Sequence, residues 1–253
     1  MTLYISVVNH NHDKMICENP TLRELASEHK VILKSNTPST EELKEYCKKA
    51  DIILLQGSDK KGFGANNNEV FKYAETTLNM SNNDHFLVLN PDVEVTNENI
   101  NLLLSQVAKD NTKISTINLF KNKEMTEYDN SIRQFPTLMN PIKTLAGIKR
   151  TDHYNKSIIY KPTVIDWAAG SFLLFKFEVY KELNGFDEQY FMYFEDVDIC
   201  RRSFNKGDFI IYYPHYKAIH TAQMTNRKIL SVNFLHYLFS TVKYFIKNNK
   251  HNK

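Results

Sequence analysis

The stretch Phe86-Leu87-Val88-Leu89-Asn90-Pro91-Asp92-Val93-Glu94 decides how the chain is read. Four apolar residues stop abruptly at Asn-Pro-Asp, as a buried strand does at a proline, which has no N–H for the ladder. The same rhythm runs outward from it. Strand-like runs at 3–8, 30–34 and 51–56 come earlier, separated by helical patterns at 20–28, 39–50 and 66–78, and another helical pattern covers 97–109. Ser39-Thr40-Glu41-Glu42 starts one of these helices, since a hydroxyl caps free first-turn amides and Glu suits the helix dipole. Strands alternating with helices of about 10–15 residues predict βαβ units. The fold class is therefore α/β, with a mainly parallel central sheet flanked by helices. Ligands of such sheets collect at the carboxyl ends of the strands. Here those ends are the loops after Val8, Lys34, Gln56 and Leu89.

The second half is less regular. Residues 121–160 form a loop-rich excursion with Pro136 and Pro141, followed by strand-like 164–175, helical 177–183, a strand at 209–213 and a long helical pattern over 227–247. No linker or repeat divides the 253 residues, so one domain is expected over 1–253. The 42% hydrophobic and 24% charged composition is that of a soluble globular chain. A net charge of +3 from 32 basic and 29 acidic residues is too balanced for a nucleic-acid partner. No apolar run approaches the ~18–20 residues that span a bilayer, and residues 1–8 read as a strand rather than a leader. Cys17, Cys47 and Cys200 lack metal spacing, so reduced thiols and a cytoplasmic location are expected.

Four segments carry chemistry. Asp92 offers an oxygen ligand for a hard divalent cation on a diphosphate, with Asn90 as a neutral neighbour; a plain Asx-Pro turn would look the same. Lys61-Gly62-Phe63-Gly64-Ala65-Asn66-Asn67 spends two of only seven glycines between a strand and a helix. There a helix N-terminus can approach phosphate or ribose, or the chain merely turns. Asp187, Glu188, Glu195, Asp196 and Asp198 are set among Phe, Tyr, Met and Val, surroundings that raise a carboxyl pKa toward acid–base use, unless they are core anchors. His220 follows a strand and is either a satisfied surface histidine or a further metal ligand.

In order and spacing these segments resemble the family 2 glycosyltransferases, inverting enzymes of the GT-A fold, and among them rhamnosyltransferase-like enzymes of bacterial cell-surface polysaccharide synthesis. The residues that carry the resemblance are Val7-Val8-Asn9-His10-Asn11, Gly62-Phe63-Gly64-Ala65-Asn66-Asn67, Leu89-Asn90-Pro91-Asp92-Val93-Glu94-Val95, Ala169-Gly170-Ser171, Gly185-Phe186-Asp187-Glu188 and Phe191-Met192-Tyr193-Phe194-Glu195-Asp196-Val197-Asp198, closing with Pro214 and His220. The resemblance, which runs from about residue 4 to 220, implies a nucleotide-sugar-binding half at 1–110 and an acceptor and catalytic half at 111–220; the helical pattern beyond it gives a C-terminal amphipathic helix at 221–253. A dTDP-, UDP- or GDP-sugar would meet Asn9, Ser35, Asn36, Lys61, Gly62, Asn67, Asn90 and Asp92. Asp92 and His220 would hold Mg²⁺ or Mn²⁺. Asp196 would be the general base, Glu195 would hold an acceptor hydroxyl, and Trp167, Ala169 and Gly170 would line the acceptor side. The acceptor would be a glycan or a polyprenyl-diphosphate-linked glycan.

Two departures stand out. Many relatives carry Asp-Asn-x-Ser after the second strand, where this chain has Lys34-Ser35-Asn36-Thr37, and Asn90 replaces the first Asp of Asp-x-Asp. A catalytically inactive nucleotide-sugar-binding partner of a synthase is therefore one alternative. A nucleotidyltransferase of related fold is another, although residues 9–20 contain no glycine for its activating loop. In the C-terminal segment Ile229, Val232, Leu235, Leu238, Phe239, Val242 and Ile246 recur at helical spacing among Lys228, Lys243, Lys247 and Lys250. Such a helix packs on the domain or attaches at the inner membrane surface. Gly57 ends a strand beside the nucleotide loop and Gly207 sits in a turn before the 209–213 strand, which leaves Gly147 as the one glycine with no proposed role.

Overall fold

The structure is a computed structural model that describes residues 1–57, 59–137, 152–221 and 232–249. Its main sheet has nine strands: β1 (Leu3–Asn9), β2 (Lys30–Ser35), β3 (Ile53–Gln56), β4 (His85–Leu89), β5 (Val93–Glu94), β6 (Ile114–Phe120), β8 (Thr163–Ile165), β10 (Phe172–Lys176) and β11 (Ile210–His220). Their order is β3-β2-β1-β4-β10-β6-β11-β5, with β8 on β11. The four N-terminal strands pair in parallel, as the alternation predicts. Strand β10 then enters antiparallel between β4 and β6 and joins that block to the parallel pair β6–β11. Two short strands, β7 (Ile132–Arg133) and β9 (Trp167–Ala168), form a separate ribbon.

The helices are α1 (Asp13–Glu18), α2 (Thr21–Ala26), α3 (Glu41–Lys49), α4 (Phe63–Thr77), α5 (Asn97–Lys109), α6 (Phe177–Glu182), α7 (Glu195–Asn205) and α8 (Val232–Asn249). Thr40 caps α3 by accepting the Leu43 N–H at 3.3 Å, and Thr96 caps α5 in the same way. The sheet faces bury two apolar clusters, one around Phe86, Phe175 and Tyr180, the other around Ile5, Leu33 and Leu87. Each fully buried side chain of this size contributes about 1.5–3 kcal/mol.

Three elements differ from the sequence expectation. Helix α4 begins at Phe63, so Gly62 is its cap residue and Gly64 lies in its first turn. Strand β6 was not foreseen, because Ser115, Thr116 and Asn118 interrupt its apolar pattern. All seven of its residues are nevertheless buried, and Thr116 satisfies its hydroxyl on the Phe172 carbonyl at 2.8 Å. The strand expected at 209–213 runs on to His220 through a register shift between Tyr213 and Lys217 that contains Pro214. A proline cannot donate to the ladder, so the strand bulges there instead of ending.

Helix α8 is tied to the acidic segment rather than left loose. Lys247 reaches Asp187 at 2.7 Å and Asp198 at 2.6 Å, and Arg202 takes the other Asp198 oxygen at 2.6 Å. Asp198 is therefore a core anchor. Asp198→Ala leaves Arg202 without its carboxylate, while Lys247 keeps Asp187, and is expected to cost about 3 kcal/mol, read as a lower urea midpoint with an unchanged slope.

Candidate functional site

Strand register brings the motif residues to one edge of the sheet. Phe172 pairs with Leu89, so Gly170 and Ser171 enter β10 beside the Asn90 turn that leaves β4, and the Asn90 N–H donates to the Ser171 carbonyl at 3.0 Å. His220 pairs with Val93, which sets it next to Asp92. The separation between His220 Nε2 and Asp92 Oδ1 is 3.4 Å, and His220 Nδ1 lies 2.8 Å from Asp129 Oδ2. Burial opposes a charge on this imidazole, but hydrogen bonds and charge from Asp129 and Asp92 outweigh it and lift its pKa to about 9.

Asp129 was not legible from sequence, because it lies in the loop-rich excursion without a motif around it. Lys156 was missed for the same reason. Its ammonium is buried beside this pair, donating to the Leu119 carbonyl at 3.2 Å and the Ser131 hydroxyl at 3.0 Å. Burial draws its pKa down to about 8, against the pull of Asp129.

The second part of the site is the start of α7. Tyr193 and Phe194 both have left-handed backbone, at φ 68° and 70°. Bulky residues rarely adopt this conformation, and it costs roughly 1–3 kcal/mol each. The turn is clamped from behind by α8: Ser240 donates to the Met192 carbonyl at 2.9 Å, and the Phe194 ring lies 5.3 Å from that of Tyr244. This turn presents Glu195 and Asp196 in different settings. Asp196 accepts the Gly170 N–H at 3.3 Å and its neighbour's N–H at 2.8 Å, and remains partly exposed. Burial raises its pKa in spite of these bonds and of Arg133 nearby. Glu195 is buried, with Oε2 lacking a hydrogen-bond partner. Burial first, then the Asp196 charge, holds its pKa well above the ordinary carboxyl range.

Several residues expected to meet the nucleotide are engaged inside the protein instead. Asn67 is fully buried, accepting from Ser6 at 2.7 Å and donating to the Phe63 carbonyl at 2.9 Å, so its amide has no face toward the cleft. Asn9 and Ser35 are buried too: Asn9 donates to Ser35 at 2.9 Å and to Asp13 at 2.7 Å. They hold the ends of β1 and β2 together, and Asp13 is the partly exposed carboxylate beside them. Asn36 exchanges two hydrogen bonds of 2.9 Å with the Lys61 backbone, and the Lys61 ammonium is paired with Glu69. The two glycines of this loop are explained by close packing. A Cβ on Gly64 would sit 2.7 Å from Phe186 Cβ, and the Phe63 N–H already donates to the Phe191 carbonyl at 3.2 Å. The α4 N-terminus thus packs on the acidic segment.

On the acceptor side, Trp167 is buried, with its indole N–H on the Gln134 carbonyl at 2.9 Å and Arg133 over its ring. Ala169 donates its N–H to the Ser131 carbonyl at 2.8 Å, which links this wall to Lys156 and the histidine. Gly170 has a tight environment: an added Cβ would lie 2.8 Å from Phe63 Cε1. Gly170→Val is expected to push that N–H off Asp196 and lower turnover by about 100-fold, since small misplacements cost that much. A steady-state assay alongside a melting curve measures this. Gly147, its natural comparator, lies outside the described residues.

Over 250 aligned residues the chain is 35% identical to rhamnosyltransferase WbbL of Escherichia coli (strain K12), covering 97% of this chain and 93% of that protein. The chain belongs to the rhamnosyltransferase-like glycosyltransferases of family 2. It is also 28% identical over 151 residues to the N-acetylglucosaminyl-diphospho-decaprenol L-rhamnosyltransferase of Mycobacterium tuberculosis (strain CDC 1551 / Oshkosh), covering 54% of this chain and 47% of that protein. Among solved structures, GalNAc-T7 with UDP, GalNAc and Mn²⁺ superposes with a TM-score of 0.62 at 15% identity, over 95% of this chain and 47% of that one. The S. aureus TarS 1-349 complex with UDP gives 0.57 at 16% identity, over 87% and 60%. At such identities these likenesses carry the fold alone, which is GT-A. No protein-family model matches the chain. The glycosyltransferase therefore has its partly exposed Asp196 and its Asp92–His220 pair at one edge of a GT-A sheet. It serves polysaccharide biosynthesis.

Proposed function

We propose that the chain is an inverting, metal-assisted transferase that moves rhamnose or a similar sugar from a dTDP-, UDP- or GDP-sugar onto a glycan or polyprenyl-diphosphate-linked acceptor. The pathway would be that of O-antigen, capsule or lipopolysaccharide, worked from the cytoplasmic side of the inner membrane. Support for the sugar and acceptor comes from the name of the mycobacterial relative, which specifies both rhamnose and a lipid diphosphate. The observation that carries the mechanism is Asp196, a partly exposed carboxylate with a raised pKa, fixed by the Gly170 N–H on a strained turn.

A sugar hydroxyl is a poor nucleophile, so Asp196 takes its proton as the oxygen attacks the anomeric carbon. A single displacement from the face opposite the diphosphate inverts that carbon and needs no covalent sugar–enzyme intermediate. Glu195 is buried and its Oε2 is sealed from solvent, so it positions the α7 start rather than gripping acceptor. Half-buried Ala169 faces the acceptor, and buried Trp167 and Gly170 shape that wall from beneath.

The residues present suit a cation that draws most of its ligands from substrate. Among the described residues no three His, Cys, Asp or Glu side chains form a metal cluster. Asp92 and His220 supply two donors, and Asp129 on His220 Nδ1 fixes the ring as a carboxylate behind a metal-bound histidine does. Mg²⁺ or Mn²⁺ there would neutralise charge on the leaving diphosphate. Incubation with a panel of dTDP-, UDP- and GDP-sugars, acceptor and Mn²⁺ tests the reading. Acceptor-dependent release of nucleoside diphosphate from one donor class supports it. No release from any donor, with donor binding intact, leaves the inactive-partner reading instead.

A further inference from the structure

Helix α8 presents two faces of opposite character. Its inner face is spent on the domain through Ser240, Tyr244 and Lys247, as described above. On its outer face Leu235, Phe239, Val242 and Ile246 are 50, 66, 57 and 57% exposed. Their spacing of four, three and four keeps them within about 60° of one another at 3.6 residues per turn, one continuous stripe. Exposed phenylalanine, leucine, isoleucine and valine in register on a helix whose opposite face is docked mark an interaction surface.

Charge selects what covers it. Six of the 32 Lys and Arg fall in residues 222–253, where none of the 29 Asp and Glu does, a formal +6 against −3 for the rest of the chain; Lys247 is spent on Asp187 and Asp198, and the other five positive charges have no acid within their own segment. A second copy docking stripe to stripe would bring two such segments together, like charge against like. An anionic surface with an apolar layer beneath satisfies both features. No helix among the described residues is long and apolar enough to cross a membrane.

We infer that α8 is a membrane seat: Leu235, Phe239, Val242 and Ile246 enter the interfacial layer of an anionic bilayer, which the positive balance of the C-terminal segment favours. The inner face of the same helix clamps the Tyr193–Phe194 turn through Tyr237 and Tyr244, so the seat and the start of α7 form one packed unit. A lipid-linked acceptor would then be delivered on the side where Asp196 is presented. This deepens the membrane location proposed above, and its use rests on the lipid-linked acceptor. Its test needs neither donor nor acceptor, so failure here leaves the transfer reading standing.

The test is flotation of the full chain with vesicles of phosphatidylglycerol and phosphatidylethanolamine, against vesicles of phosphatidylcholine alone. The chain is expected to float with the anionic vesicles, and to do so less as salt rises from about 0.1 to about 0.5 M. Phe239→Glu combined with Ile246→Glu should cut partitioning on the order of 100-fold, with an unchanged melting temperature because both side chains are solvent-facing. Three results would each overturn the proposal: no flotation with anionic vesicles, equal flotation with neutral ones, or flotation indifferent to the double substitution. A solution dimer that the double substitution splits, without vesicle binding, would assign the stripe to a second copy.

Discussion

Asp196→Asn is expected to lower sugar transfer by about 10³-fold, within the range a positioned general base supplies. Asparagine keeps an oxygen for the Gly170 N–H and gives up only the acceptor for its neighbour Val197, so the α7 start should hold and donor affinity should stay unchanged. The effect belongs in kcat, not KM. Its pH dependence follows from the sign of the shift. Burial raises the Asp196 pKa, so the base is protonated, and idle, at pH values where an ordinary aspartate would still be ionised. In the wild type kcat/KM should climb with pH until the raised pKa is passed and fall away below it. The asparagine variant should show no such limb. Full activity in Asp196→Asn, or an unchanged limb, would move the base elsewhere.

Asp92→Asn is expected to have the next largest effect, about 100-fold on kcat/KM, through the diphosphate side of the reaction. It removes the carboxylate 3.4 Å from His220 and leaves Asp129 as that ring's partner. Calorimetry of nucleoside diphosphate with and without Mn²⁺ provides a readout besides turnover: the cation should strengthen binding to the wild type and do so far less in the variant. His220→Asn should produce the same loss of cation response. Equal strengthening by Mn²⁺ in all three proteins would take the cation away from this pair.

The parallel half of the sheet was readable because β1 to β4 alternate with helices and end in punctuation: Thr40 at one helix start, Pro91 at one strand stop. Strand β6 escaped because its polar residues are satisfied by neighbours that only the folded chain supplies, as Thr116 is by Phe172. The extension of β11 escaped because Pro214 reads locally as an end, whereas its bulge is tolerated within pairing on β6. In the site, Asp92, Asp196 and His220 were legible as types in sequence order. What they touch was not: Asp129, the partner of His220, and Gly170, the partner of Asp196, come from other segments of the chain. Asn67 shows the reverse. An asparagine in a glycine-rich turn looked like a ribose contact, yet burial against Ser6 makes it part of the framework. The carboxylate missing at Ser35 likewise has a spatial neighbour that spacing conceals, since Asn9 bridges Ser35 to Asp13.

The C-terminal helix divides in the same way. Periodicity identified its apolar positions, while the structure assigns Tyr244 to the core and leaves Phe239 and Ile246 in solvent. Ile229 and Lys250 lie outside the described residues.

The central claim is a single displacement at the anomeric carbon with Asp196 as base. Its most direct test is the configuration of the new linkage, read by NMR on product made from one anomerically pure nucleotide-sugar and a lipid-diphosphate glycan. The account predicts a glycosidic bond of configuration opposite to the donor. A bond that retains the donor's configuration would contradict it.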